Sequence, residues 1–143
     1  MSWAARHALR LALCFGLGAL AVHAAAAAPQ VQTGGGSIEG LQNGNLATFK
    51  GVPYAAPPVG ALRWRAPQPA PSWEGVRRAD SVGGACSQKA GMSLEGGGDT
   101  GPTSEDCLTV NVWTPRPEPG ARLPVLVWFH GGALVFGSGG LAL

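Results

Sequence analysis

The chain has 143 residues, of which 45% are hydrophobic and only 13% charged, and 23 Gly with 12 Pro make about a quarter of it turn-forming. That composition excludes a coiled coil, a collagen repeat and an acidic disordered tail. A formal net charge of +2 is too small to argue for a nucleic-acid partner.

Met1 to Arg10 carries Arg6, His7 and Arg10 and no acid; Leu11 to Val22 is then an unbroken apolar or Gly run, and alanines follow up to Pro29. This is the pattern of a secretory signal peptide, expected over residues 1–27 with cleavage after Ala27, or alternatively after Ala24. The apolar run falls short of the roughly 20 residues needed to span a bilayer, so no stable membrane span is expected, although an uncleaved anchor is the alternative. No twin Arg is present in the leader, which favours a Sec-type route to the periplasm or the extracellular space. The leader holds two of the ten basic residues; the eight that remain match the eight acids. A neutral exported chain has no electrostatic reason to seek nucleic acid or an anionic surface.

Residues 28–36 are polar and Gly-rich without periodicity and read as a flexible lead. Ser37 to Gln42 and Asn45 to Lys50 flank Asn43-Gly44, the strongest local signal for a β-hairpin. The prolines of Gly51 to Pro58 then end regular structure. Val59 to Gly75, rich in Pro and Trp, is expected to lie flat over a core as an ordered loop. Trp64, Trp73, Trp113 and Trp128 are expected to pack in cores rather than bind ligands.

Cys14 is lost with the leader, leaving Cys86 and Cys107 as an even pair in an oxidising compartment. A bridge between them would close a loop of about 20 residues and contribute roughly 3 kcal/mol; two free or metal-binding thiols are the alternative. Gly83 to Pro102 reads as an exposed loop between them. Leu108, Val110 and Val112 alternate with Thr109, Asn111 and Trp113, predicting a strand with one face buried. After the turn Pro115–Gly120, the run Val125 to Phe129 is continuously apolar and suits a central strand buried on both faces. Such a strand needs covering layers, usually helices, and no amphipathic helix is evident from Pro29 to Leu143. The chain is therefore expected to be the opening part of a larger domain.

Phe129-His-Gly-Gly-Ala-Leu-Val-Phe-Gly137 follows that run. Glycines at a strand end let the backbone turn sharply and approach a ligand, and adjacent backbone N–H groups exposed there can hold a developing negative oxygen. Alone, His-Gly-Gly is better read as an ordinary strand-to-loop turn.

Several motifs stand together in order: Phe49-Lys-Gly-Val-Pro-Tyr-Ala-Ala-Pro-Pro-Val-Gly60, Leu62-Arg-Trp64, Trp73-Glu-Gly75, Ala85-Cys-Ser-Gln88, Ser104-Glu-Asp-Cys-Leu-Thr-Val-Asn-Val-Trp113, Pro124 to Gly132 and Phe136-Gly-Ser138. With them the chain resembles the type-B carboxylesterases, the cholinesterase-like branch of the α/β-hydrolases, from about Ile38 to Gly139. The resemblance implies that residues 37–143 are the N-terminal, mostly β part of an α/β-hydrolase fold, its helices and later strands missing. It implies hydrolysis of a small carboxylic ester through a serine acyl-enzyme, with no organic cofactor and no metal. It implies that Cys86 and Cys107 form a disulfide and that Arg63 and Glu105 form a structural ion pair. If both are buried, breaking the pair leaves one unpaired charge at a cost of roughly 3–5 kcal/mol, the alternative being that each is solvated on the surface. It places the oxyanion donors on the backbone N–H groups of Gly132 and Ala133, with Gly131 setting the turn and His130 positional rather than the catalytic base. The loop before Glu105 lacks the tryptophan with which cholinesterases hold a quaternary ammonium, which favours generic carboxylesters.

The sequence contains no Gly-x-Ser-x-Gly elbow, and Gly137-Ser138-Gly139 is too short a match for Ser138 to be a nucleophile. The triad is accordingly expected outside this chain, which alone should be inactive. Oligomeric state is left open. A non-catalytic cholinesterase-like binding protein, or a short exported β domain with a structural role, are the competing readings.

Overall fold

The computed structural model describes residues 27–89 and 102–140. The expected signal peptide lies almost entirely outside the described residues, as does most of the loop before Glu105.

Among the described residues, eight short strands form two three-stranded sheets and a small two-stranded one. β1 (Gln30–Gln32), β2 (Ser37–Glu39) and β5 (Val76–Arg78) make the first sheet, β1 antiparallel and β5 parallel to β2. β3 (Leu41–Asn43), β4 (Leu46–Pro53) and β8 (Thr109–Thr114) make the second, fully antiparallel. β6 (Ala85–Cys86) and β7 (Thr103–Ser104) pair in parallel.

The hairpin predicted at Asn43-Gly44 is present, with Asn43 paired to Leu46 and the turn formed by Gly44 and Asn45. Gly44 has φ 59°, the positive value that a II′ turn requires of its first central residue.

Gly40 separates β2 from β3 and carries the chain from one sheet to the other. A Cβ there would run into the carbonyl oxygen of Thr48 and into the ring of Phe49, 2.7 Å from Cδ1. The absent side chain thus lets the corner close on β4. Ala79 ties the sheets from the far side: its N–H donates to Glu39 O at 2.7 Å and its carbonyl accepts from Lys50 N at 2.8 Å. Between these ties sits the core of Ile38, Ala47, Phe49 and Ala79, with Val31, Val52 and Trp73 packed against it. Just beyond β5, Arg78 Nε lies 2.8 Å from Asp80 Oδ2 and holds that carboxyl below its ordinary value.

Four expectations are corrected. The lead over 28–36 is not without structure: β1 pairs with β2, and Thr33 and Gly36 close a turn through reciprocal backbone bonds at 2.9 and 3.3 Å. Ladder bonds use main-chain groups, so side-chain periodicity is no prerequisite. The Val59–Gly75 segment, with a 3₁₀ turn at Gly60–Leu62, is largely exposed. Of its tryptophans only Trp73 reaches the core, its Nε1–H donating to Ser37 O at 2.8 Å, whereas Trp64 is 96% exposed. Trp113 and Trp128 are exposed as well.

β8 forms where alternation predicts it, but neither of its faces is buried: Val110 and Val112 are exposed on one side and Trp113 on the other, where Thr109 and Asn111 are half-buried. Asn111 finds backbone partners on its side, and the described residues place no apolar layer over the valines. Last, Val125 to Phe129 has no ladder partner among the described residues and stands exposed, Leu126 by 94%. Alternation states which residues share a face; whether that face is buried depends on what covers it.

Gly40→Ala is expected to destabilise the protein by about 1–3 kcal/mol, because the new methyl meets backbone that cannot rotate away. Urea unfolding of the purified protein, with Gly34→Ala as the comparison at a glycine with open space around it and no positive φ, measures the difference.

Candidate active site: the His-Gly-Gly-Ala loop and its supports

The backbone reverses sharply after His130. Gly132 O accepts from Val135 N at 2.9 Å and from Phe136 N at 3.2 Å. The two residues inside that reversal, Ala133 and Leu134, have φ 54° and 62°. Positive φ at both central residues defines a type I′ turn, and for residues with a side chain it costs about 1–2 kcal/mol each. Gly132 itself has φ 115°, and a Cβ on it would collide with Phe136 O. Gly131 carries no such restriction from its neighbours. Among the described residues, neither Gly132 N nor Ala133 N donates to a backbone carbonyl.

His130 folds back along the loop. Its Nδ1 is 2.7 Å from Gly131 O, an oxygen that can only accept, so Nδ1 carries the hydrogen. A Cβ on Gly137 would stand 2.5 Å from His130 Nδ1 and 2.7 Å from Gly131 O, so the glycine lets the returning chain lie against the histidine. Ser138 is buried, and its Oγ accepts from Gly140 N at 3.1 Å, an occupation within its own turn.

Two side-chain amides hold the returning strand of the loop. Gln88 accepts from Gly137 N through Oε1 at 2.8 Å and donates from Nε2 to Gly137 O at 2.9 Å. Asn111 accepts from Gly51 N at 2.8 Å and donates to Gly139 O at 3.0 Å. Both residues lie inside motifs that carry the family resemblance, yet the sequence marks neither for this role: each contact spans dozens of residues, 49 for Gln88 and Gly137.

The disulfide joins Cys86 to Cys107, 21 residues apart, with Cα atoms 5.0 Å apart. Arg63 and Glu105 meet at 3.0 Å, but their side chains are 54% and 42% exposed. The condition for a buried ion pair is therefore not met, and the 3–5 kcal/mol attached to it gives way to the small value of a solvated pair. Two shallow surface hollows lie away from the loop, one between Pro29–Gln32 and Pro117–Pro119, the other beside Trp73.

With this geometry in place, the comparisons fix the class. The fold is that of the α/β-hydrolase esterases: a solved para-nitrobenzyl (PNB) esterase superposes with a TM-score of 0.69 at 40% identity, covering 78% of this chain and 23% of that one. A carboxylesterase of Geobacillus stearothermophilus superposes with a TM-score of 0.65 at 40% identity, over 77% of this chain and 21% of its own. Residues 27–142 match the carboxylesterase family, and the chain belongs to it. Phenmedipham hydrolase of Pseudarthrobacter oxydans is 47% identical over 116 residues, which are 79% of this chain and 23% of that protein. Fumonisin B1 esterase of Sphingopyxis macrogoltabida is 40% identical over 138 residues, 94% of this chain and 25% of the relative. The chain thus spans about a quarter of the length of the curated relatives it matches.

Cys86→Ser with Cys107→Ser is expected to cost about 3 kcal/mol through the freed unfolded state. Arg63→Ala is expected to cost under about 1 kcal/mol. Denaturant midpoints of the purified variants separate the two effects.

Proposed function

We propose that this chain provides the oxyanion-holding loop of an exported serine carboxylester hydrolase. Gly132 and Ala133 donate their backbone N–H groups to the oxygen that becomes negative when a serine attacks the ester carbonyl, and Gly131 sets the entry to the turn. The serine oxygen bonds to the acyl carbon while a base takes its proton and the carbonyl π pair moves onto the oxygen. The tetrahedral intermediate then collapses: the C–O bond to the alcohol breaks and the alcohol leaves with that proton. Water repeats the two steps on the acyl-enzyme to release the acid and restore the serine. The serine, its base and the acid that orients the base belong, on this reading, to the part of the protein outside this chain. The leader of residues 1–27 would carry the product to the periplasm or beyond.

The observation that carries the reading is the pair Ala133 and Leu134 at positive φ. Two successive strained residues persist only where surrounding structure over-determines them, and such strain gathers at functional sites. Here it bends the chain beside two amides free of any ladder. Preorganised donors of this kind are each worth about 10²–10³ in kcat. The relatives' names, phenmedipham hydrolase, fumonisin B1 esterase and para-nitrobenzyl esterase, support small-molecule esters as the substrate class.

The full-length protein is expected to hydrolyse p-nitrophenyl acetate, and the 143-residue chain alone is not. Ala133→Gly keeps the N–H and suits φ 54°, so its kcat should stay within about threefold. Ala133→Pro removes the N–H and demands φ near −65°, so kcat should fall about 10²–10³-fold. Equal rates for Ala133→Gly and Ala133→Pro would remove the loop from the chemistry.

A further inference from the structure

We propose that Gln88 is a positioning residue for the oxyanion loop and that the Cys86–Cys107 disulfide holds it in place. The proposal rests on the ester-hydrolase reading of Gly132 and Ala133.

The Gln88 amide meets both backbone groups of Gly137, closing a two-bond ring of the kind that otherwise joins paired strands. A single hydrogen bond leaves a loop free to swing about it; two bonds to one residue fix its direction as well as its position. The same Nε2 also donates to Cys86 O at 3.0 Å, so the ring is anchored on the residue that carries the bridge. From Gly137 the restraint runs to His130 and Gly131, which pack where a Gly137 side chain would be. Those two residues lead directly into Gly132 and Ala133. The disulfide thus connects, through one side-chain amide, to the donors of the proposed site, while its own sulfurs stay outside the chemistry.

A donor shifted by a fraction of an ångström stabilises the tetrahedral oxygen less while the ester binds as before, and misplacement near 1 Å costs about 10²-fold. Gln88→Ala in the full-length protein is therefore expected to lower kcat for p-nitrophenyl acetate about 10- to 100-fold with KM within about twofold. Gln42→Ala, which removes an exposed amide from the distant hairpin, should change neither. Gln88→Glu gives a signature that simple loss of stability does not. As a carboxylate it can accept from Gly137 N but cannot donate to Gly137 O; as a carboxylic acid it does both. Its kcat relative to wild type, measured at each pH, should rise as pH falls from 8 to 5. In the Cys86→Ser/Cys107→Ser background, Gln88→Ala should add less than about threefold, since the anchor has already gone.

Hydrogen-exchange mass spectrometry of peptides covering residues 130–140 reads the ring without any turnover: protection should be lost in Gln88→Ala. Wild-type kcat and unchanged exchange in Gln88→Ala overturn the proposal, as does a Gln88→Glu ratio flat with pH. A wild-type protein that shows the protection but hydrolyses no ester would instead refute the ester-hydrolase reading and leave the ring standing.

Discussion

β4 has to bend, and the way it bends organises the rest. The strand pairs regularly with β8 from Ala47 to Phe49, slips, and resumes at Val52. At the slip Gly51 takes φ 64° and its N–H leaves the ladder. A main-chain donor half-buried without a partner costs about 1–3 kcal/mol, so the structure must answer it. Asn111 of β8 does so with its side-chain oxygen, and the nitrogen of the same amide then reaches Gly139 O. One irregularity in a strand thereby fixes the register of β8 and the end of the loop that begins at His130. Bulges are over-represented next to active sites for this reason: they re-aim a side chain that a regular ladder would have left pointing elsewhere.

Asn111 and Gln88 solve the same problem from opposite sides. A loop that must expose some amides for chemistry cannot satisfy its backbone by pairing with a strand. Where the chain returns, the polar groups of Gly137 and the carbonyl of Gly139 are taken by side chains carried on ordered supports, Gln88 next to the disulfide and Asn111 inside β8. A side-chain amide has the same donor and acceptor as a peptide group, so it substitutes for a strand edge without occupying the space of one. The arrangement also accounts for where strain is tolerated. Ala133 and Leu134 hold positive φ between His130, packed against Gly137, and the clamped return of the chain. Relaxing either residue would shift the carbonyl of Gly132, which accepts from both Val135 and Phe136.

What the sequence reveals follows the range of the interactions involved. The hairpin at Asn43-Gly44 is local: a turn needing positive φ is set by the glycine, and the structure moves its centre by only one residue, to Gly44-Asn45. The family assignment is legible because many short motifs occur in one order, and the matched region covers residues 27–142. Burial depends on partners as well as on pattern. Val110 and Val112 alternate as expected and Val125 to Phe129 is apolar throughout, yet all are exposed in a chain that spans about a quarter of its relatives' length. Periodicity describes one element; burial is a relation between two. The Arg63–Glu105 pair shows the same limit: its geometry is as expected, but its worth depends on solvent, which reaches both side chains.

The exposed tract and the strained loop are consecutive, and their energetics run in opposite directions. Val125 to Phe129 presents apolar surface that gains about 25 cal/mol per Å² when covered, whereas the loop after it stores strain. Nothing within the described residues offsets that strain by packing on Leu134, which is wholly exposed. The restraint on the loop comes instead from hydrogen bonds at its far end, at Gly137 and Gly139. Hydrogen bonds are directional and short-ranged, so they fix where an amide points more sharply than apolar contact does. For a site whose task is to aim two N–H groups at one oxygen, direction is the quantity that matters. A loop with polar clamps at one end and an apolar tract at the other separates the two needs: burial of Val125 to Phe129 would supply stability, and Gln88 and Asn111 supply aim.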